Sequence, residues 1–233
     1  MNRGHTWAMQ WECVLAVMAV SLLYAGMAWA TPNVPVPPRT QTAQVAKKII
    51  YNGLDMHAQV FQSDLSQKDV IDFYKHQWGK QVSVNALQSS KIVGHLDGDS
   101  FITVQVTPDG AGSKGTIGIV KLPPKDAPRP QLGKGLPQPF GAKVVNDISY
   151  PEDHTPARTV LMVDQLAPDQ NSSWFRSRLI ANGWKDANTN TCSHSAPACV
   201  MQFERGKSKM MFVSEKAGGR SEVLVNIQNP GSE

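Results

Sequence analysis

Leu65-Ser66-Gln67-Lys68-Asp69-Val70-Ile71-Asp72-Phe73-Tyr74-Lys75-His76-Gln77-Trp78 is the stretch on which the fold turns. Val70, Phe73, Tyr74 and Trp78, with Ile71 beside them, fall on one face at i, i+3, i+4, i+8 spacing, which predicts an amphipathic helix. Ser66 followed by Asp69 is close to a capping box, and Gly79 suits a left-handed C-terminal cap. The pattern returns at an offset of 101 residues as Leu166-Ala167-Pro168-Asp169-Gln170-Asn171-Ser172-Ser173-Trp174-Phe175-Arg176-Ser177-Arg178-Leu179. Each copy carries a leucine, a start signal, an aspartate, an aromatic pair, a cation and a closing apolar residue. Pro168 is placed at the first helical position. Trp174, Phe175, Leu179 and Ile180 supply the apolar residues, Asn182-Gly183 stops the helix, and Trp184 is expected to be exposed beyond it.

Working outward, short apolar runs bounded by turn residues predict strands. In the first half they are Lys48–Tyr51, Met56–Gln62, Lys91–Leu96, Phe101–Thr107 and Thr116–Leu122, with Asp97-Gly98-Asp99 and Asp109-Gly110 as hairpin turns. In the second they are Lys143–Tyr150, Ala157–Val163, Cys199–Glu204, Lys209–Ser214 and Glu222–Ile227, with turns at Arg205-Gly206 and Gly218-Gly219. The same element order on both sides of a proline-rich stretch predicts an α+β fold of two tandem small modules. Each is expected to be one helix packed on an antiparallel sheet of about four to five strands. Residues 44–122 form the first module and 140–229 the second, separated by a linker at 123–139 that carries six prolines. Residues 31–43 read as a proline-rich arm, and 230–233 as a tail.

The first thirty residues read as a signal peptide. A short head with Arg3 precedes an apolar run from Cys13 to Ala30, and Ala28-Trp29-Ala30 matches the small-residue rule for cleavage after Ala30. The alternative is an uncleaved anchor, since eighteen residues lie at the short end of what spans a bilayer. A periplasmic or secreted location follows, or an inner-membrane anchored one facing the periplasm. Cleavage leaves two cysteines, Cys192 and Cys199, and an even count in an oxidising compartment reads as a disulfide. His194 between them raises a zinc site instead, but the six-residue gap exceeds the usual ligand spacing and no further cysteine is available.

At 233 residues, with 18% charged and 41% hydrophobic side chains, the chain is globular in composition. A net charge of +4 fits weak attraction to an anionic envelope component, without the dense basic stripe of a nucleic-acid binder. Arg205, Lys207 and Lys209 bracket one turn and are candidates for an anion-facing edge, or charges that protect an edge strand.

No residue set reads as catalytic, metal-binding or cofactor-binding. Gly98-Asp99-Ser100-Phe101 resembles the GDS block of certain esterases, over four residues only. Such an enzyme needs a downstream Asp-x-x-His, and Asp153-His154 lacks that spacing. Asn171-Ser172-Ser173 matches a glycosylation acceptor, and is more simply placed on an exposed helix face. The expected function is therefore a non-catalytic exported envelope protein, a binding, adaptor or assembly module. Its expected partner is another envelope protein or an anionic envelope component, with membrane contact only through an uncleaved leader. The alternative is a periplasmic hydrolase using Ser100, Asp153 and His154.

Overall fold

A computed structural model describes residues 32–187 and 192–230. The expected leader with its cleavage point at Ala30 lies outside the described residues. Thirteen strands form one antiparallel sheet. They are β1 (Thr40–Gln44), β2 (Ile49–Tyr51), β3 (Leu54–Ser63), β4 (Val82–Leu87), β5 (Ser90–Asp97), β6 (Ser100–Asp109), β7 (Gly112–Lys121), β8 (Lys143–Tyr150), β9 (Ala157–Asp164), β10 (Lys185–Asp186), β11 (Ala198–Arg205), β12 (Ser208–Ala217) and β13 (Arg220–Gln228). Two helices interrupt them, α1 (Gln67–Trp78) and α2 (Pro168–Ala181).

The expectation of two separate helix-on-sheet modules is overturned. The strands run β10-β11-β12-β13-β9-β8-β2-β3-β7-β6-β5-β4 without a break, and β1 adds to β3. Pairing of β2 with β8, Ile50 opposite Ser149 and Tyr51 opposite Ile148, fuses the two halves. Local pattern identifies strands but not which strand lies beside which. Here β2 has a free edge facing β8, and joining the two satisfies backbone groups that separate modules would leave open.

Outward from that junction both halves have one strand order: β2-β3-β7-β6-β5-β4 and β8-β9-β13-β12-β11-β10. Residues that pair across a ladder share a face of the sheet. Phe61 shares a face with Asp55 on its own strand. Asp55 pairs with Ile50, Ile50 with Ser149, and Ser149 with Arg158, which shares a face with Val160 and Met162. Phe61 belongs to the core under α1, and Val160 and Met162 to the core under α2. Both helices therefore cover the same face.

Alpha1 begins as its sequence requires. Ser66 Oγ accepts from the Asp69 backbone N–H, and Gly79 closes the helix at φ 58°. Val70, Ile71 and Tyr74 are buried against Phe61, Val93, Val104, Val106 and Ile117. Phe61 fits because Gly115 faces it: a Cβ there would meet the Phe61 ring and the Gln105 carbonyl. Trp78 stacks on His95, whose Nδ1–H donates to the Gln81 carbonyl. In the other half Phe175 and Leu179 pack on Met201, Phe203, Phe212 and Val225. One expectation about the end of α2 fails here. Trp184 is buried, with the Arg205 guanidinium 4.6 Å from its ring, while Ile180 is half exposed.

Both proline-rich stretches dock on this fold. Within the arm, β1 pairs with Gln59–Ser63 of β3, Pro37 is buried, and Val34 packs on the α1 core. The stretch between β7 and β8 lies on the helix-bearing face. Leu136 packs on the α2 core, Pro130 covers Gly53, and the Gly133 N–H donates to Asp147 Oδ2 at 2.8 Å. Asp147 accepts in addition from Arg158 Nε (2.9 Å) and Nη2 (2.8 Å), and Arg158 Nη1 donates to the Lys134 carbonyl. Burial pushes the Asp147 carboxyl up, but the Arg158 guanidinium and the Gly133 N–H outweigh it and hold the group below its ordinary value.

Candidate functional site

The two halves match residue by residue, so the places where they differ stand out. Through the helices the offset is 101: Tyr74 answers Phe175, and Phe73 answers Trp174. From β5 and β11 onward it is 108. Val93 answers Met201, Ile102 answers Met210, Val104 answers Phe212, and Ile117 answers Val225, all eight buried. The turn glycines Gly98 and Gly110 answer Gly206 and Gly218, at φ 59°, 60°, 59° and 54°. Hydrogen bonds repeat as well. Ser113 Oγ on β7 donates to the Leu65 carbonyl at 2.8 Å, and Ser221 Oγ on β13 donates to the Leu166 carbonyl at 2.7 Å.

One block breaks this match. Beneath the first turn of α1 lie Val70, Ile71 and Val106, with Ser63 at the end of β3. Their counterparts beneath α2 are Asn171, Ser172, Ser214 and Asp164, every one buried. Asp164 Oδ1 accepts from the Leu166 N–H at 2.9 Å and from Asn171 Nδ2 at 3.0 Å, and Asn171 Nδ2 also reaches Ser214 Oγ at 3.3 Å. Asp164 Oδ2, Asn171 Oδ1 and Ser172 Oγ have no hydrogen-bond partner. Burying polar atoms unpaired costs stability, so this half carries a cost that the other avoids with aliphatic side chains. Asn171 is fully buried, which corrects the expectation that Asn171-Ser172-Ser173 lies on an exposed helix face.

A cavity of about 530 Å³ opens beside this block. Its walls are the Gln165–Gln170 entry to α2, the His194–Pro197 loop, and Lys216, Gly219, Arg220 and Ser221 of the β12–β13 turn. Ala167 at the N-cap has no side-chain oxygen, and its own N–H donates to Gln170 Oε1 at 2.9 Å. The positive end of the helix dipole therefore faces the cavity. Lys216 and Arg220 add cations where the other half has Pro108 and Gly112. Asp169 brings a carboxylate to the wall, turned to His194, whose Nδ1 lies 3.0 Å from Asp169 Oδ2.

The His194 loop is closed by a disulfide between Cys192 and Cys199, as the cysteine count suggests. Both sulfurs are thereby used, and His194 faces Asp169. Among the described residues no group of three or more His, Cys, Asp or Glu is placed to hold a metal ion.

The other sequence candidates disperse. Arg205 lies over Trp184 and donates from Nη1 to the Asn182 carbonyl at the end of α2. Lys207 is in the turn after it, and Lys209 stands opposite Glu204 on the helix-free face. Ser100 is buried at the start of β6 with its Oγ 3.4 Å from Asp99 Oδ1, whereas Asp153 and His154 belong to the β8–β9 turn of the other half. The cavity residues Lys216 and Arg220 were missed in the sequence, because they stand on opposite sides of a turn. The signal that could have found them is the second offset of 108, along which Val106, Pro108 and Gly112 become Ser214, Lys216 and Arg220.

Among the described residues no helix is long and apolar enough to cross a membrane. In comparison with known proteins, no family model, no curated protein and no solved structure matches this chain.

Proposed function

We propose that this is an exported, non-catalytic binding protein of the cell envelope that takes an anionic envelope component at the α2 cavity. The observation that carries the reading is the pairing of Lys216 and Arg220 with the α2 N-terminus around a cavity of about 530 Å³, at positions where the matching half has neither cation. A phosphate or carboxylate there meets the Lys216 cation, which shares the helix-bearing face with Ser221, and backbone N–H groups at the positive end of a helix, with Arg220 at the rim. The net charge of +4 favours approach to an anionic surface.

The disulfide supports an oxidising compartment, and the leader reading of residues 1–30 agrees with it. The shared strand order and the offsets of 101 and 108 support an internal duplication within the one sheet. One copy then kept an aliphatic helix seat, and the other acquired a polar seat and a cationic mouth.

The test is cosedimentation of the exported protein with phosphatidylglycerol vesicles and with phosphatidylcholine vesicles. Binding is expected to the anionic vesicles alone, to fall as salt rises, and to drop at least tenfold in Lys216→Gln/Arg220→Gln. Binding that ignores the double substitution, or no binding to anionic vesicles, refutes the assignment.

A further inference from the structure

The sheet face turned away from the helices differs between the halves. On β6, Ile102, Val104 and Val106 are buried on the helix-bearing side, so Phe101 and Thr103 face away. Leu96 stands opposite Phe101, Phe101 opposite Val120, Val120 opposite Met56, and Met56 opposite Ile49, one apolar row across five strands. Leu96 is 52% exposed and Phe101 41%, and the row ends at the buried Ile49. Along the offset of 108, Leu96, Phe101 and Val120 become Glu204, Lys209 and Gln228, which pair in the same order. Two glycines of the same face change with them, Gly94 to Gln202 and Gly118 to Asn226.

Those glycines keep the row low. A Cβ at Gly94 would stand 3.5 Å from the Phe101 ring, and one at Gly118 would stand 2.8 Å from the Met56 methyl, so both side chains lie along the sheet. Among the described residues, the strands of the α1 half bring two charges to this face, Asp109 and Lys114, ion-paired at 3.2 Å beside the β6–β7 turn. In the α2 half the aliphatic row Val200–Val213–Leu224–Leu161 runs between the Glu204–Lys209 and Glu215–Glu222 pairs, so a layer laid there would bury charge. A sheet face that meets water is ordinarily polar. The two halves share one strand order, yet the α1 half carries apolar residues and glycine where the α2 half carries Glu, Lys, Gln and Asn.

We propose that the helix-free face of the α1 half is a dimer interface, on which a second copy of this chain lays the same face to close a two-sheet sandwich. The shape of the face selects a sheet. Lipid is engaged by apolar side chains that reach into the acyl boundary, and a helix by a groove. Here Phe101 and Met56 lie down and leave neither. The area selects a second copy of the same half. Its six strands, about 4.8 Å apart and about eight residues long, present about 750 Å², close to the roughly 800 Å² that each partner gives to a stable complex. Charge fixes the symmetry. A two-fold axis parallel to the strands, through Val120 at the middle of the row, sets Val120 against the partner's Val120 and Leu96 towards the partner's Ile49. The charged rows of both α2 halves then lie outside the interface. An axis along the row would instead set Glu204 against the partner's Glu204, and like charges oppose that. The cavity lies in the other half, and the inference does not rest on the anion-binding reading.

The test measures mass in solution by light scattering after size exclusion, at about 100 µM protein. The exported chain is expected to run as a dimer. Leu96→Asp and Phe101→Asp are expected to run as monomers with unchanged circular dichroism. Val200→Asp, 48% exposed on the same face of the α2 half, is expected to remain a dimer. Should a variant fail to fold, Val120→Cys supplies a second readout: a short bis-maleimide should link two copies through residue 120, and should not link Val200→Cys. A wild-type monomer overturns the proposal, and its binding to vesicles, if lost on Phe101→Asp, would give the face to lipid. A dimer that persists in either Leu96→Asp or Phe101→Asp overturns it too, as does a monomeric Val200→Asp or a Val120→Cys protein that does not cross-link.

Discussion

Replacing Asp147 with alanine removes the group that ties the interhalf stretch to the junction. Its carboxylate accepts two charge-assisted hydrogen bonds from Arg158 and one from the Gly133 N–H, all between 2.8 and 2.9 Å. The two charged side chains are 13% and 12% exposed, so solvent screens the pair only in part. Breaking a largely buried pair by removing one partner costs about 3 kcal/mol, since the guanidinium loses its bidentate carboxylate. For a folded unit of roughly 200 residues, each kcal/mol lowers Tm by about 2–4 °C, so the expected drop is roughly 6–12 °C. The pH dependence supplies a second readout. The Asp147 carboxyl lies below its ordinary value of 3.8 in the folded protein. A depressed carboxyl contributes stability that is present above the unfolded value and lost as pH falls through the folded one. The wild type should therefore lose part of its stability below about pH 4, and Asp147→Ala should lack that part. Scanning calorimetry between pH 3 and pH 7 reads both quantities. A Tm drop below 2 °C, or an acid limb unchanged by the substitution, refutes the reasoning.

Two further substitutions test the seats of the helices. Ser172→Ala removes a buried hydroxyl without a partner and should stabilise the protein by about 1 kcal/mol, whereas Ser221→Ala, which loses the bond to the Leu166 carbonyl, should destabilise it by about 1–2 kcal/mol; urea melts that give one sign for both would contradict the two roles. Tyr74 is fully buried with an unpaired hydroxyl, and burial pushes its ionisation far up. The unfolded chain releases that proton near pH 10 and the folded chain does not, so stability should fall above pH 10 in the wild type and fall less in Tyr74→Phe. Equal alkaline loss in both, followed by fluorescence, would remove Tyr74 from the account.

Much of the secondary structure was legible. The spacing of Val70, Phe73, Tyr74 and Trp78 marked α1, and Ser66, Gly79, Pro168 and Asn182 marked helix ends that the structure keeps. Strands with alternating apolar residues were found because one face of each packs under a helix. Three strands were not. Thr40–Gln44 has no apolar alternation and is a strand because β3 offers it an edge. Val82–Leu87 carries small side chains exposed on both faces. Lys185–Asp186 is too short to leave a pattern. The joining of the halves was illegible for a related reason. It rests on backbone pairing at Ile50, Tyr51, Ile148 and Ser149 and on the hydrogen bonds between Asn52 and Asp147, none of which has a periodicity. Proline content misled as well. It stiffens a linker, but it does not say whether the linker stands off or lies down, and here Gly53 and Gly133 let it approach closely. The candidate site shows only as a difference between the halves, and a seven-residue change of offset hid the part of it at Ser214, Lys216 and Arg220.

The continuity of the sheet across β2 and β8 is the claim on which the rest depends. The Asn52 N–H donates to the Asp147 carbonyl at 2.8 Å, and the Asp147 N–H donates to Asn52 Oδ1 at 2.8 Å. Solution NMR can detect the first bond directly, as a scalar coupling between the Asn52 amide nitrogen and the Asp147 carbonyl carbon. The coupling should be present, with cross-strand contacts between Tyr51 and Ile148 and an Asn52 amide that exchanges as slowly as the core strands. An Asn52 amide exchanging at the rate of open chain, with neither coupling nor cross-strand contact, would mean two sheets rather than one.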